Sequence, residues 1–333
     1  MSAGAPLAPA LVTLDDIRQA ADRVRAAVVR TPTLALPWPG PGASQPFFVK
    51  CENLQPMGAF KVRGAFNTLA QLSDDARARG VITYSSGNHG QGVAMAAHAM
   101  GVKAVIVMPT TAPSVKVDGV RSYGAEVIFE GTTSLDRQRR AEQEAAAHGY
   151  TLIPPFDHPW VIAGQGTVGL ELVEQLPDLG TVYVPMGGGG LIAGVATAVK
   201  SLKPSVRVVG VEPTGAMKMR AARDVGHPVT LEKTQSIGDG IMNMRAGDLT
   251  FAHVQRYVDE LVAVPDEAMA RAVAWLFKTA RIVAEPSGAA PTAAVMLGLG
   301  DPQGTVAAIV SGGNVQPDHF ARYITSQGLP AGG

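Results

Sequence analysis

Residues 55–65 read QPMGAFKVRGA, which sets one lysine, Lys61, among Gly, Ala and Phe. Small apolar neighbours give an ammonium nothing to pair with, and burial in such surroundings lowers a lysine's pKa. The neutral amine is a nucleophile toward carbonyl carbon. A second stretch, TVYVPMGGGGLIAGVATAVK, runs from a strand-like segment through Gly187, Gly188, Gly189 and Gly190 into a helix of small residues. Consecutive glycines let several backbone N–H groups converge on one point, and the helix N-terminus adds its positive end. That makes a cradle for an anion, most naturally a phosphate. The plainer alternative is a tight strand-to-helix turn, for which four glycines are costly. No Gly-Lys-Ser/Thr follows, so the stretch is not a nucleotide P-loop.

Two further segments bring polar groups to strand ends. In YSSGNHGQGVAMAAHAMG (residues 84–101), Ser85, Ser86, Gly87 and Asn88 occupy a strand-to-helix junction. Such junctions face the ligand crevice of an open α/β sheet, although Ser and Asn also serve as plain caps. His89 taken alone reads as a packed histidine. In AAIVSGGNV (residues 307–315), a buried strand delivers Ser311 to a Gly-Gly turn. GQGTVG (residues 164–169) fits the dinucleotide pattern, but it follows no clear strand, and no acidic residue closes a second strand about 20 residues later. It is set aside. A lysine able to attack an aldehyde and a phosphate cradle, with no metal motif or nucleotide loop, together suggest pyridoxal phosphate.

The elements that must position these groups alternate. The strand candidates FFVK, VITY, AVIVM, EVIF, TVYVP, RVVGV, LVAV and TVAAIV are mostly apolar throughout, as expected for strands covered on both faces. Helical patterns lie between them. The first begins at Thr13, an N-cap followed by Asp15 and Asp16, and puts Ile17, Ala20, Ala21, Val24 and Val28 on one face. The reading is α/β with mainly parallel sheets. Lys and Arg total 28 against 28 Asp and Glu. Without a basic tract, nucleic acid is not an expected partner. No apolar run reaches the ~18 residues of a membrane span, and the N-terminus lacks the pattern of a signal peptide. The single cysteine, Cys51, reads as a buried small hydrophobe and fits a reducing cytosol.

Taken in order, GAFKVRGA, SSGNHGQG, AGQGT, GGGGLIAG, EPSGA and SGGN closely resemble the fold-type II pyridoxal-phosphate enzymes, and among them the serine/threonine dehydratase and serine racemase family. The resemblance runs from about Thr13 to about Tyr323. It implies a tryptophan synthase β-like fold with two open, twisted, mostly parallel sheets and helices on both faces. Residues 1–52 and 157–333 would form a large cofactor-binding domain, and residues 53–156 a small one. It implies that Lys61 carries the cofactor and later moves the Cα proton, that Phe60 flanks the ring, and that Asn88 bonds the ring hydroxyl. Gly187, Gly188, Gly189 and Gly190 would bind the phosphate and Ser311 the pyridine nitrogen. Ser85, Ser86, Gly87, Asn88 and His89 would receive the substrate carboxylate. Glu285 would line the cofactor side and Gly240 the other ring face. Ser86 would be a second acid/base on the face opposite Lys61.

The activity implied is α,β-elimination from L-threonine, L-serine or a related β-hydroxy amino acid to a 2-oxo acid and ammonia. Amino-acid racemisation is the alternative and a non-catalytic amino-acid sensor the third reading. KVRGA and GNHG separate the chain from cysteine synthases and cystathionine β-synthases, which usually read KDR and GNTG. The chain also ends before the regulatory domain of the biosynthetic threonine deaminases. A cytoplasmic homodimer is expected. The chain departs from the family at Ala59 and Met57, where Ser and often Thr are usual. Metal-dependent members carry an acidic pair after VEP; here Glu212 matches the first, but Lys218 stands at the second, which argues against a metal.

Overall fold

The structure, a computed structural model, describes residues 10–42, 44–85, 87–112 and 114–325. Its strands are β1 (Thr33–Leu36), β2 (Phe47–Cys51), β3 (Val81–Tyr84), β4 (Ala104–Met108), β5 (Glu126–Phe129), β6 (Thr151–Leu152), β7 (Leu179–Pro185), β8 (Arg207–Pro213), β9 (Glu260–Val264) and β10 (Thr305–Val310). They form a six-stranded sheet ordered β1-β2-β10-β7-β8-β9 and a four-stranded sheet ordered β5-β4-β3-β6. Every pairing is parallel except β1 with β2. The eight apolar runs all became strands. The two additions, β1 and β6, are edge strands: β6 has only two residues, and β1, as long as β3 and β5, has one β-branched residue and no aromatic.

Both faces of the inner strands are covered, which explains why most of the runs are apolar throughout, while β5 at the edge of the smaller sheet is exposed at Glu126 and Phe129. Val306, Ala308 and Val310 of β10 pack with the helices Asp266–Ala280 and Pro286–Met296. Ala307 and Ile309 point the other way, toward the helices Pro159–Gln175, Gly190–Leu202 and Asp248–Tyr257. In the smaller sheet, Ile106 and Met108 face the helices Lys61–Leu69 and Asn88–Met100, while Val105 and Val107 face Ala141. The first helix, Leu14–Val24, starts where Thr13 and Asp16 form a capping box.

GQGTVG lies in the middle of the helix Pro159–Gln175, not at a strand-to-helix turn. Its glycines are contact points between helices. A Cβ on Gly164 would lie 2.6 Å from the Arg63 carbonyl oxygen, and one on Gly194 would lie 2.3 Å from that of Ile162. One helix is thus pressed, backbone to backbone, against both the helix that starts at Lys61 and the helix that follows the four glycines.

The lysine's helix is also fixed from within. Arg63 is fully buried and bonds Glu52 at 2.8 Å and Glu171 at 2.7 Å. Lys50 of β2 reaches Glu171 at 2.5 Å, and the Thr31 hydroxyl donates to Glu52 at 2.6 Å. Arg63 is held above its already high pKa against the cost of burial by these two carboxylates. The arginine two residues after Lys61 therefore belongs to the frame.

Candidate active site

Lys61 is the first residue of its helix, and Val62 to Leu69 behind it are all buried. Its Nζ donates to the Pro155 carbonyl oxygen at 2.7 Å and lies 5.2 Å from the centre of the Phe60 ring. Burial pushes its pKa down to about 8. The apolar setting read from sequence is therefore real.

Two chain segments are zipped together beside it. The Phe60 amide donates to the Ser311 carbonyl at 3.0 Å, and that of Gly313 to the Gly58 carbonyl at 2.9 Å. Ser311 follows β10 directly and is buried. Asn314 donates to the Met57 carbonyl at 2.9 Å and to Asn88 Oδ1 at 2.8 Å. Asn88 opens the helix Asn88–Met100, and a Cβ on Gly92 of that helix would lie 3.2 Å from the Lys61 carbonyl carbon. Asn88 Nδ2 donates to Glu285 Oε1 at 2.7 Å. Glu285 is pushed up to about 8 by burial and then by Asp239, against the pull of Lys116 and Asn88. Gly240 joins this group through its N–H, which donates to Ser287 Oγ at 2.9 Å.

The glycine turn follows β7, with Gly189 at φ 101° before the helix Gly190–Leu202. Its carbonyls are pinned away from the cleft: the Thr250 hydroxyl donates to the Gly188 oxygen at 2.6 Å, and so does the Gly247 amide at 3.2 Å. Asp157 fixes that support by accepting the amides of Asp248, Leu249 and Thr250. The amides of Gly187, Gly188, Gly189 and Gly190 have no acceptor among the described residues. Side chains would not fit here. A Cβ on Gly187 would lie 2.5 Å from Asn243, and one on Gly188 would lie 2.4 Å from Phe156. Phe156 follows Pro155, so one short segment touches both the lysine and the turn.

Among the residues expected to meet the substrate, Gly87 caps the helix that Asn88 opens, and its N–H donates to Ser85 Oγ at 3.1 Å. His89 turns inward, with Nε2 3.1 Å from the Ile153 carbonyl, and burial, then Lys61, push it down to about 3. It is a packed imidazole held through Nε2, and its Nδ1 has no partner among the described residues. Ser86 lies outside the described residues. Local sequence gave no sign of Phe156, Asn243, Thr250, Lys116 or Asp239. Their partners lie far along the chain.

Lys218 is fully buried behind the glycine turn, 3.1 Å from Glu212 Oε1. Its Nζ donates to the carbonyls of Met186 at 2.7 Å, Ile241 at 3.0 Å and Ala216 at 3.1 Å. An ammonium has three donors and no acceptor, so this nest of oxygens suits it. Burial pulls its pKa down and Glu212 pulls it back up. The tether joins the residue before Gly187 to the residue after Gly240. Among the described residues, no three His, Cys, Asp or Glu side chains gather as a metal site.

A family model described as "Pyridoxal-phosphate dependent enzyme" matches residues 24–312. An L-threonine ammonia-lyase of Thermotoga maritima is 42% identical over 323 residues, covering 97% of this chain and 80% of that one. The biosynthetic L-threonine dehydratase of Escherichia coli is 44% identical over 84% of this chain, which spans only 55% of that relative's length. The solved structure of maize serine racemase superposes with a TM-score of 0.88 at 36% identity, covering 94% of this chain and 97% of that one.

Proposed function

Because the chain belongs to the pyridoxal-phosphate dependent enzymes and has their fold-type II architecture, we propose that it is an ammonia-lyase that converts L-threonine, L-serine or a related β-hydroxy amino acid to a 2-oxo acid and ammonia. The observation that carries this reading is the 42% identity, over 97% of the chain, with a threonine ammonia-lyase.

The residues present fit the cofactor. Unpaired amides in a turn where side chains would collide suit a phosphate, and a buried lysine without a carboxylate partner suits an aldehyde. Gly187, Gly188, Gly189 and Gly190 would hold the phosphate, Phe60 and Gly240 the two ring faces, Asn88 the ring hydroxyl, and Ser311 the pyridine nitrogen, with Glu285 beside Asn88. When bound, pyridoxal phosphate supplies an aldehyde that takes up an amine and a ring that draws electrons from the substrate's Cα. Lys61 is the base for the Cα proton, steered by the Pro155 carbonyl. Ser311 offers a neutral hydroxyl, so the ring nitrogen gains a hydrogen bond without a negative charge, which suits prompt loss of the β-hydroxyl. Ser85, Gly87 and the amide of His89 face the incoming carboxylate.

Purified holoenzyme is expected to release 2-oxo acid from L-threonine or L-serine, read as the hydrazone. A preparation that carries the cofactor's visible absorption but releases none from any β-hydroxy amino acid would refute the reading and leave the sensor. The likeness to a serine racemase favours slow racemisation as a second activity, with Ser86 as the acid/base on the face opposite Lys61; chiral separation of the remaining substrate tests it. The same proposal includes two domains, residues 1–52 with 157–333 and residues 53–156. The grouping of β3 to β6 in one sheet supports it. It also includes a homodimer and a cytoplasmic location. No helix among the described residues is long and apolar enough to cross a membrane.

Lys218 stands in for a divalent cation in this reading. Dialysis against a chelator should leave 2-oxo acid release unchanged. Activity that is lost on chelation and returns with Mg²⁺ would show that the ammonium does not serve as the cation.

A further inference from the structure

The ion pair Lys116–Asp239 spans the mouth of the cleft. Lys116 lies on the helix Ser114–Arg121, beside the smaller sheet, and Asp239 on the turn Asp239–Ile241, which carries Gly240. A Cβ on Gly87 would lie 3.4 Å from Lys116 Nζ, so the ammonium sits over the loop assigned to the substrate carboxylate. The partners are unequal: the Lys116 side chain is 13% exposed and that of Asp239 45%. The aspartate is the solvated partner, and the lysine is the one held against the loop.

We propose that Lys116 receives the carboxylate of the amino-acid substrate and that Asp239 is an internal surrogate occupying it until the substrate arrives. The inference rests on the reading that this cleft binds an amino acid. One carboxylate replaces another, so the charge at the mouth is unchanged, and Asp239 sets the affinity by competition.

The test is calorimetric titration of holoenzyme with L-alanine, which has the α-carboxylate and no β-leaving group. Equal visible absorption of the cofactor confirms equal loading of all variants. Asp239→Asn is expected to tighten L-alanine binding about fivefold, and Lys116→Met to weaken it about tenfold or more, the scale of one charge-assisted hydrogen bond. Lys116→Arg should stay within about threefold of wild type, because the positive donor is kept. In the Lys116→Met background, Asp239→Asn should change nothing, because the competition is gone. Weaker or unchanged binding in Asp239→Asn alone, or independent effects that simply multiply, overturns the proposal. L-alanine binding needs no elimination. A protein that shows the expected pattern but releases no 2-oxo acid supports the surrogate and refutes the ammonia-lyase. One that releases 2-oxo acid and shows independent effects refutes the surrogate alone.

Discussion

Lys61→Ala is expected to lower 2-oxo acid release by roughly ten-thousandfold, since the substitution removes both the proposed covalent anchor and the proposed base for the Cα proton. The cofactor should dialyse away from the variant and stay with wild type. Borohydride treatment of wild-type holoenzyme followed by peptide mapping should place the cofactor on Lys61, and a label on another lysine ends the assignment. Stability of the apoprotein should hardly change, because the Lys61 Nζ gives up one hydrogen bond, to the Pro155 carbonyl, and its place beside the Phe60 ring. The pH dependence has a definite sign. Below about 8 the Lys61 amine of the apoprotein is protonated, and above it the neutral form prevails. Uptake of cofactor by apoprotein should therefore quicken as pH rises through that value, measured by the growth of visible absorption.

Arg63→Leu should have the largest effect on stability. It strips the shared cation from Glu52, which is fully buried, and from Glu171. Breaking a buried pair from one side costs about 3–5 kcal/mol, against a total of roughly 5–15 kcal/mol for a typical domain. The urea midpoint should fall accordingly, and a loss below about 1 kcal/mol, the scale of an exposed pair, would refute the buried-frame account. Burial raises the Glu52 pKa, but Arg63 overrides this and holds the carboxyl below its usual range. A depressed carboxylate contributes stability above its unfolded pKa and loses it as pH falls through the folded one. Wild type should therefore weaken in acid more steeply than Glu52→Gln.

The eight long strands were legible because covered strands leave unbroken apolar runs, and the glycine turn because four adjacent glycines have few other uses. Lys61 was legible as a charge out of place. β6 has too few residues to form a pattern, and β1, no shorter than β3 or β5, has only one β-branched residue to mark it. The supports of the turn were invisible for another reason: Thr250 is 62 residues from Gly188, and Asp157 lies 91 to 93 residues from the amides it accepts. Asp239 is 123 residues from Lys116. Surface charges such as these look alike in sequence until the fold pairs them. Arg63 misleads in the opposite direction: it stands beside the chemistry and serves the interior.

The helix Lys61–Leu69 has no idle position. Its first residue is the one proposed to carry the cofactor, its third holds the interior together, and the rest are buried. There is little room to vary it, because a change at its first position reaches the chemistry and a change at its third loosens the scaffold. Lys116 and Asp239 sit on short elements at the rim with water on one side. Mutations at these two positions can shift how tightly amino acids are held without touching the buried frame around Arg63. The rim is thus where binding can be adjusted by single substitutions, and the helix behind Lys61 is where it cannot.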